Sequence, residues 1–155
     1  MDANGLKTDS TLRDQIGADE GIRSRPYKDT AGYWTGGIGH NLEAHGIPMS
    51  DILGWLKAGI GDETVKQWFS EDIEAAITCC EQVFEGFYNL PDEAQRVLLN
   101  MAFDLMYELH DWIDLQKNVA AANWKAAGSD ILRSRFAVQA PGRCGRLAAR
   151  MAAIK

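Results

Sequence analysis

Two carboxylates and a hydroxyl stand close together in residues 20–40, which read EGIRSRPYKDTAGYWTGGIGH: Glu20, Asp29 and Thr35. Cutting an acetal such as a glycosidic bond needs one carboxyl group protonated, to release the leaving oxygen, and one ionised, to direct water. A hydroxyl that holds the water completes that set. Taken singly, the same residues have plainer readings. A Glu beside a helix-stopping glycine can be a surface residue, and a turn Asp often only bonds nearby backbone amides. The glycines before His40 are no phosphate loop, because no Lys-Ser or Lys-Thr follows them. They let backbone approach backbone, or backbone approach a sugar.

Positioning these groups requires a helix, a turn and a returning strand. Thr8, Asp9 or Ser10 caps a helix with Leu12 and Ile16 one turn apart, and Gly21 stops it. Glu20 then sits in the last turn, where the negative end of the helix disfavours an ionised carboxylate. Pro26–Asp29 and Tyr33–Thr35 read as two strands about a turn at Thr30-Ala31-Gly32, and a third short strand is expected through Ile38.

Ser50 is expected to cap a short helix through Ile52, Leu53, Trp55 and Leu56 that stops at Gly59. Val65, Trp68, Phe69, Ile73, Ala76, Ile77, Cys80 and Phe84 then recur at three- and four-residue steps, which predicts a long helix from Glu63 to about Val83. Asp72 falls on that apolar stripe, where an unpaired carboxylate is costly, so a cation must meet it. His40 is the candidate partner, in a structural ion pair. Pro91, Asp92 and Glu93 open the next helix, with Asn100 and Asp104 on the flank of its stripe. Tyr107–Trp112 has no readable period. Asn123 is expected to cap a helix carrying Trp124, Ala127, Ile131 and Leu132, and Pro141 to start a last one with Leu147, Met151 and Ile154.

The chain has 155 residues, 46% hydrophobic and 25% charged, which reads as one soluble domain. Its net charge is −6, but residues 131–155 hold six bases and no acid. That basic end neutralises the acidic remainder, and an acidic protein gains little from phosphates, so nucleic acid is not an expected partner. Three cysteines without a C-x-x-C spacing argue for buried thiols, a reducing compartment at synthesis, and no metal. The polar start MDANGLKTDS is no signal peptide, and no stretch is apolar enough for stable membrane insertion.

The pattern E-G-x-R-x-x-x-Y-K-D-T-x-G-Y-x-T-x-G-I-G-H over Glu20–His40 resembles the phage-type lysozymes of the T-even kind, muramidases of glycoside hydrolase family 24. The resemblance continues through F-x-x-D-x-x-A-A at Phe69–Ala76, Asn100–Phe103, Ser134–Phe136 and Pro141–Arg143. It implies an α+β lysozyme-like domain over residues 1–155: a small lobe at about 20–62 with a short antiparallel hairpin sheet, a linking helix at about 63–83, and a helical lobe at about 84–155 on which the N-terminal helix packs, with a cleft between lobes. It implies Glu20 as general acid, Asp29 as the carboxylate directing water, and Thr35 as its hydroxyl, cutting the β-1,4 bond between N-acetylmuramic acid and N-acetylglucosamine with inversion. By position Asn41, Phe103, Asp104, Asp130 and Arg143 would contact substrate, with Arg143 meeting Glu20, and His40 with Asp72 matches a family salt bridge. Asp104 stands where the family usually has an amide, and Glu108–Trp112 replaces an expected glycine- and Phe-containing segment. Peptidoglycan strands are the implied partner, with no cofactor. The protein would be a monomer made in the host cytoplasm that reaches the periplasmic wall through a holin-like permeabiliser. Two rivals are a lytic transglycosylase, which has little use for Asp29 and Thr35, and a non-catalytic peptidoglycan-binding module with the same fold.

Overall fold

Nine helices and one small sheet make up the chain in the computed structural model, which describes all of residues 1–155. In order these are α1 (Ala3–Thr8), α2 (Ser10–Glu20), β1 (Arg23–Lys28), β2 (Trp34–Gly37), β3 (His40–Asn41), α3 (Met49–Ala58), α4 (Asp62–Val83), α5 (Asp92–Leu105), α6 (Ile113–Ala120), α7 (Trp124–Arg133), α8 (Phe136–Gln139) and α9 (Pro141–Ala152). Short 3-10 turns at Phe87–Asn89 and Met106–Asp111 flank α5. This is an α+β architecture. The chain divides into two compact units: Arg13–Glu74, and Met1–Leu12 together with Ala75–Lys155. No helix is long and apolar enough to cross a membrane.

The unit Arg13–Glu74 holds the three-stranded antiparallel sheet, in the order β1-β2-β3. Tyr27 pairs with Thr35 and Lys28 with Trp34, while Thr35 pairs onward with Asn41 and Gly36 with His40. The third strand is thus β3, beyond the expected position at Ile38. Gly37 and Gly39 both take positive φ, so the chain turns through Ile38 before it can pair again. Gly36 is needed for space: a Cβ there would fall 2.6 Å from Ile60 Cδ1. In α3 the cap position belongs to Pro48, and the expected capping residue Ser50 lies inside the first turn. Proline suits this boundary because its fixed φ needs no N–H partner. Ile38, Leu42, Ile52, Ile60, Val65, Trp68, Phe69 and Ile73 are buried in this unit, the first two in the segments flanking β3.

The second unit is helical. α5 buries Val97, Leu98, Leu99, Met101 and Ala102, and α7 packs so closely on α9 that a Cβ at Gly128 would sit 2.7 Å from the Ala148 carbonyl oxygen. The Met1 ammonium holds α1 in place by bonding Asp92 Oδ1 at 2.7 Å and the buried Gln95 Oε1 at 2.8 Å. Ile154, expected on the last helix, lies past the end of α9, and Leu132, on its expected helix, is exposed. Leu132 lies about 90° around α7 from the stripe of buried residues Trp124, Ala127, Gly128 and Ile131, and so faces away from the core. Cys79, Cys80 and Cys144 are free, buried thiols whose pKa values burial raises, Cys80's well above the usual range.

Asp9 caps α2, its Oδ1 accepting from the Leu12 N–H at 2.8 Å and its Oδ2 from Arg96 Nε at 2.9 Å. Burial alone would raise its pKa, but the Arg96 and backbone bonds outweigh that and leave it below the usual carboxylate value. Asn at position 9 keeps a capping oxygen and loses the charge, so Asp9→Asn is expected to cost about 1–3 kcal/mol at pH 7. Because the folded pKa is depressed, this stabilisation is present above the unfolded value of about 4 and is lost as pH falls through the lower folded value. Urea melts at pH 7, 5 and 3 should show the difference between the two proteins constant from 7 to 5 and shrinking at 3. An equal difference at all three would refute the ion-pair account.

Candidate active site

Glu20 ends α2 and is partly exposed. Gly21, at φ +73°, reverses the chain immediately after it and leads into β1. Gly39, at φ +70°, brings its backbone against the Glu20 side chain: a Cβ at residue 39 would lie 2.8 Å from Glu20 Oε2 and 3.3 Å from its carboxyl carbon. The glycine run therefore shapes the seat of a carboxylate 19 positions earlier in the chain, a role its sequence does not disclose.

Asp29 sits at the mouth of the hairpin between β1 and β2, and its two oxygens do different work. Oδ1 accepts from the backbone N–H groups of Ala31 and Tyr33, both at 2.9 Å. Oδ2 faces the Thr35 hydroxyl at 3.3 Å. Thr35 has one hydroxyl proton and a second acceptor at the same distance, the Tyr33 carbonyl oxygen. It can satisfy only one of these long bonds at a time, and its lone pairs remain for a further donor. The turn geometry thus fixes Asp29 in one orientation without occupying the oxygen on the Thr35 side with backbone bonds.

Tyr27 links the two carboxylates electrostatically. Burial raises its phenol pKa, the guanidinium of Arg23 opposes the rise from 4.3 Å above the ring, and the charges of Glu20 and Asp29 both add to it. Glu43 secures the hairpin from the β3 side, accepting from the Trp34 N–H at 2.9 Å and from Lys28 Nζ at 2.8 Å. Neither Tyr27 nor Glu43 was legible as a site residue. The Y in the motif was a hint for the first, and a lone exposed Glu gives none for the second.

His40, at the start of β3, is buried with its Nδ1 2.8 Å from Asp72 Oδ2 on α4. Its ring is sandwiched between Trp68, at 4.6 Å, and His45, at 4.0 Å. Asn41 is committed to a turn, its Oδ1 accepting from the Ala44 N–H at 2.9 Å.

The remaining candidates belong to the helical unit. Arg143, buried in the first turn of α9, is held by the buried Asn100: Nε donates to its side-chain oxygen at 2.8 Å and Nη2 to its backbone oxygen at 2.9 Å. Asp104, partly exposed one turn along α5 from Asn100, puts Oδ2 3.8 Å from Arg143 Nη1. Phe103 beside it is partly exposed. Asp130 is tied within the unit, Oδ2 accepting from Asn118 at 2.7 Å and Oδ1 pairing with Arg133. It also lines a surface cavity of about 310 Å³ with Trp112, Ser134 and Arg135.

Residues 17–149 match the family model described as phage lysozyme. The chain is also similar to the protein named "Probable T4-type lysozyme 2" of Dictyostelium discoideum, with 26% identity over 157 residues, covering 89% of this chain and 91% of that one.

Proposed function

The chain belongs to the phage lysozyme family, and from that premise we propose how its own residues carry out the reaction. It is a lysozyme of the muramidase type, a glycoside hydrolase whose substrate is peptidoglycan. The bond cut is the β-1,4 linkage between N-acetylmuramic acid and N-acetylglucosamine. Glu20, protonated, gives its proton to the glycosidic oxygen as the bond from that oxygen to the muramic acid C1 breaks. Asp29 Oδ2 takes a proton from a water that Thr35 orients, and the water oxygen bonds to C1 from the opposite face. The configuration at C1 is inverted, leaving Glu20 ionised and Asp29 protonated until solvent exchanges the proton. Phe103, Asp104, Arg143, Asn41 and Asp130 are assigned to substrate contact. In this role the protein acts as a monomeric phage endolysin that reaches the wall through a holin-like permeabiliser.

Asp29 carries this reading. Its Oδ1 is anchored by two backbone N–H groups while Oδ2 is directed to a hydroxyl, an arrangement that suits a fixed base with one working oxygen. A transglycosylase, which closes its product on an internal hydroxyl, has no use for such a base. Digestion of purified peptidoglycan followed by borohydride reduction should convert muramic acid at the new ends to its alditol. Early NMR of the unreduced digest should show the α-anomer first. Anhydro ends would replace hydrolysis with transglycosylation, β-anomer first would replace inversion with retention, and reduced glucosamine would move the cut to the other linkage.

A further inference from the structure

The sandwich around His40 holds more chemistry than an ion pair. His45 puts Nε2 3.9 Å from Asp72 Oδ1, on the other oxygen of the carboxylate that His40 Nδ1 meets. Ligand atoms from all three side chains lie within 4.8 Å of one another. The opposite nitrogen of His45, Nδ1, is 2.8 Å from the Asn41 carbonyl oxygen, which only an Nδ1–H can satisfy. In the neutral imidazole that bond leaves the lone pair on Nε2, the atom facing Asp72. A carbonyl gripping the far nitrogen of a histidine is the usual way a metal-binding imidazole is oriented.

We propose that His40, His45 and Asp72 form a binding site for a divalent transition-metal ion of the zinc class. Two imidazoles and one carboxylate suit zinc, nickel or copper and suit calcium or magnesium poorly, since those prefer all-oxygen shells. A tetrahedral ion with bonds of about 2.1 Å holds its ligand atoms about 3.4 Å apart. His40 and Asp72 must open slightly from 2.8 Å, and His45 must close in by up to about 1.4 Å, since the three ligand atoms are spread over as much as 4.8 Å. The first change is what occurs when an ion replaces the shared proton. The second is open to His45 because its side chain is half exposed and can tilt out of its stack on His40 while keeping its Nδ1 bond. The same exposure leaves the ion's remaining position to water. Bound there, the ion ties the turn after β3 to α4 with coordination bonds, so the unit Arg13–Glu74 becomes more stable in its presence. No role in the cleavage of peptidoglycan is part of this assignment.

Calorimetric titration of the full chain with Zn²⁺ tests it, with His45→Ala and His110→Ala alongside. His45→Ala leaves the His40–Asp72 pair intact, and His110, the third histidine of the chain, lies on the 3-10 turn Met106–Asp111 in the other unit. The expected result is one ion per chain for the wild type and His110→Ala, and binding roughly tenfold or more weaker for His45→Ala. Zinc should raise the melting temperature of the first two and leave the third nearly unmoved. Co²⁺ should give visible d–d bands without the intense near-ultraviolet absorption of thiolate ligation. Equal binding by His45→Ala, no binding by the wild type, or thiolate bands would each overturn the site.

Discussion

Glu20→Gln is expected to leave the chain folded and to lower clearing of permeabilised Gram-negative cell walls by about a thousandfold. The amide has the shape of the acid and keeps the contact with the Gly39 backbone, but it has no proton to give to the leaving oxygen. A sugar alkoxide is too basic to depart unprotonated, so the barrier rises by the worth of the general acid. Orientation of the water by Asp29 and Thr35 survives, which is why some residual rate should remain. Circular dichroism and thermal melts should coincide for the two proteins, and wall binding should persist. Clearing within about tenfold of wild type would show that another group supplies the proton. No clearing by either protein, with binding by both, would make this fold a peptidoglycan-binding module.

The fold was legible where one pattern was long enough to average over exceptions. The stripe from Val65 to Phe84 gave α4, and Pro26–Thr35 gave the hairpin, because periodicity and turn residues agree there. α1, α6 and α8 have at most eight residues, too few for a period to show above noise, and tertiary contacts such as the Met1–Asp92 pair hold them. The third strand begins two residues beyond Ile38, a good strand former, because the positive φ of Gly37 and Gly39 decides the path. At the site, the chemical types of Glu20, Asp29 and Thr35 could be read one by one. The partners that orient them could not: Ala31 and Tyr33 act through backbone N–H groups, and Gly39 acts through having no side chain. His45 shows the same limit, since nothing in an exposed turn announces that its ring stacks on His40.

Gly39→Ala should separate positioning from chemistry at Glu20, and the expected result is a fall of about a hundredfold in kcat with little change in KM. Two effects must be told apart. A non-glycine residue at φ +70° pays strain of about 1–2 kcal/mol wherever it sits. At residue 39 the new methyl group also arrives 2.8 Å from Glu20 Oε2. The carboxyl group is the end of a flexible side chain, so it yields before the backbone does, and the proton donor moves by up to an ångström from its working position. Displacement on that scale is enough for a hundredfold loss even though the acid is still present. Gly46→Ala is the control: Gly46 has φ +67°, and a Cβ there meets nothing within 4 Å. Both variants should lose about 1–2 kcal/mol in urea melts, while only Gly39→Ala loses activity. If the two are equally active, the Gly39 contact does not set the position of Glu20. If both lose activity alike, backbone strain in the small unit, and no displacement of the carboxylate, accounts for the defect.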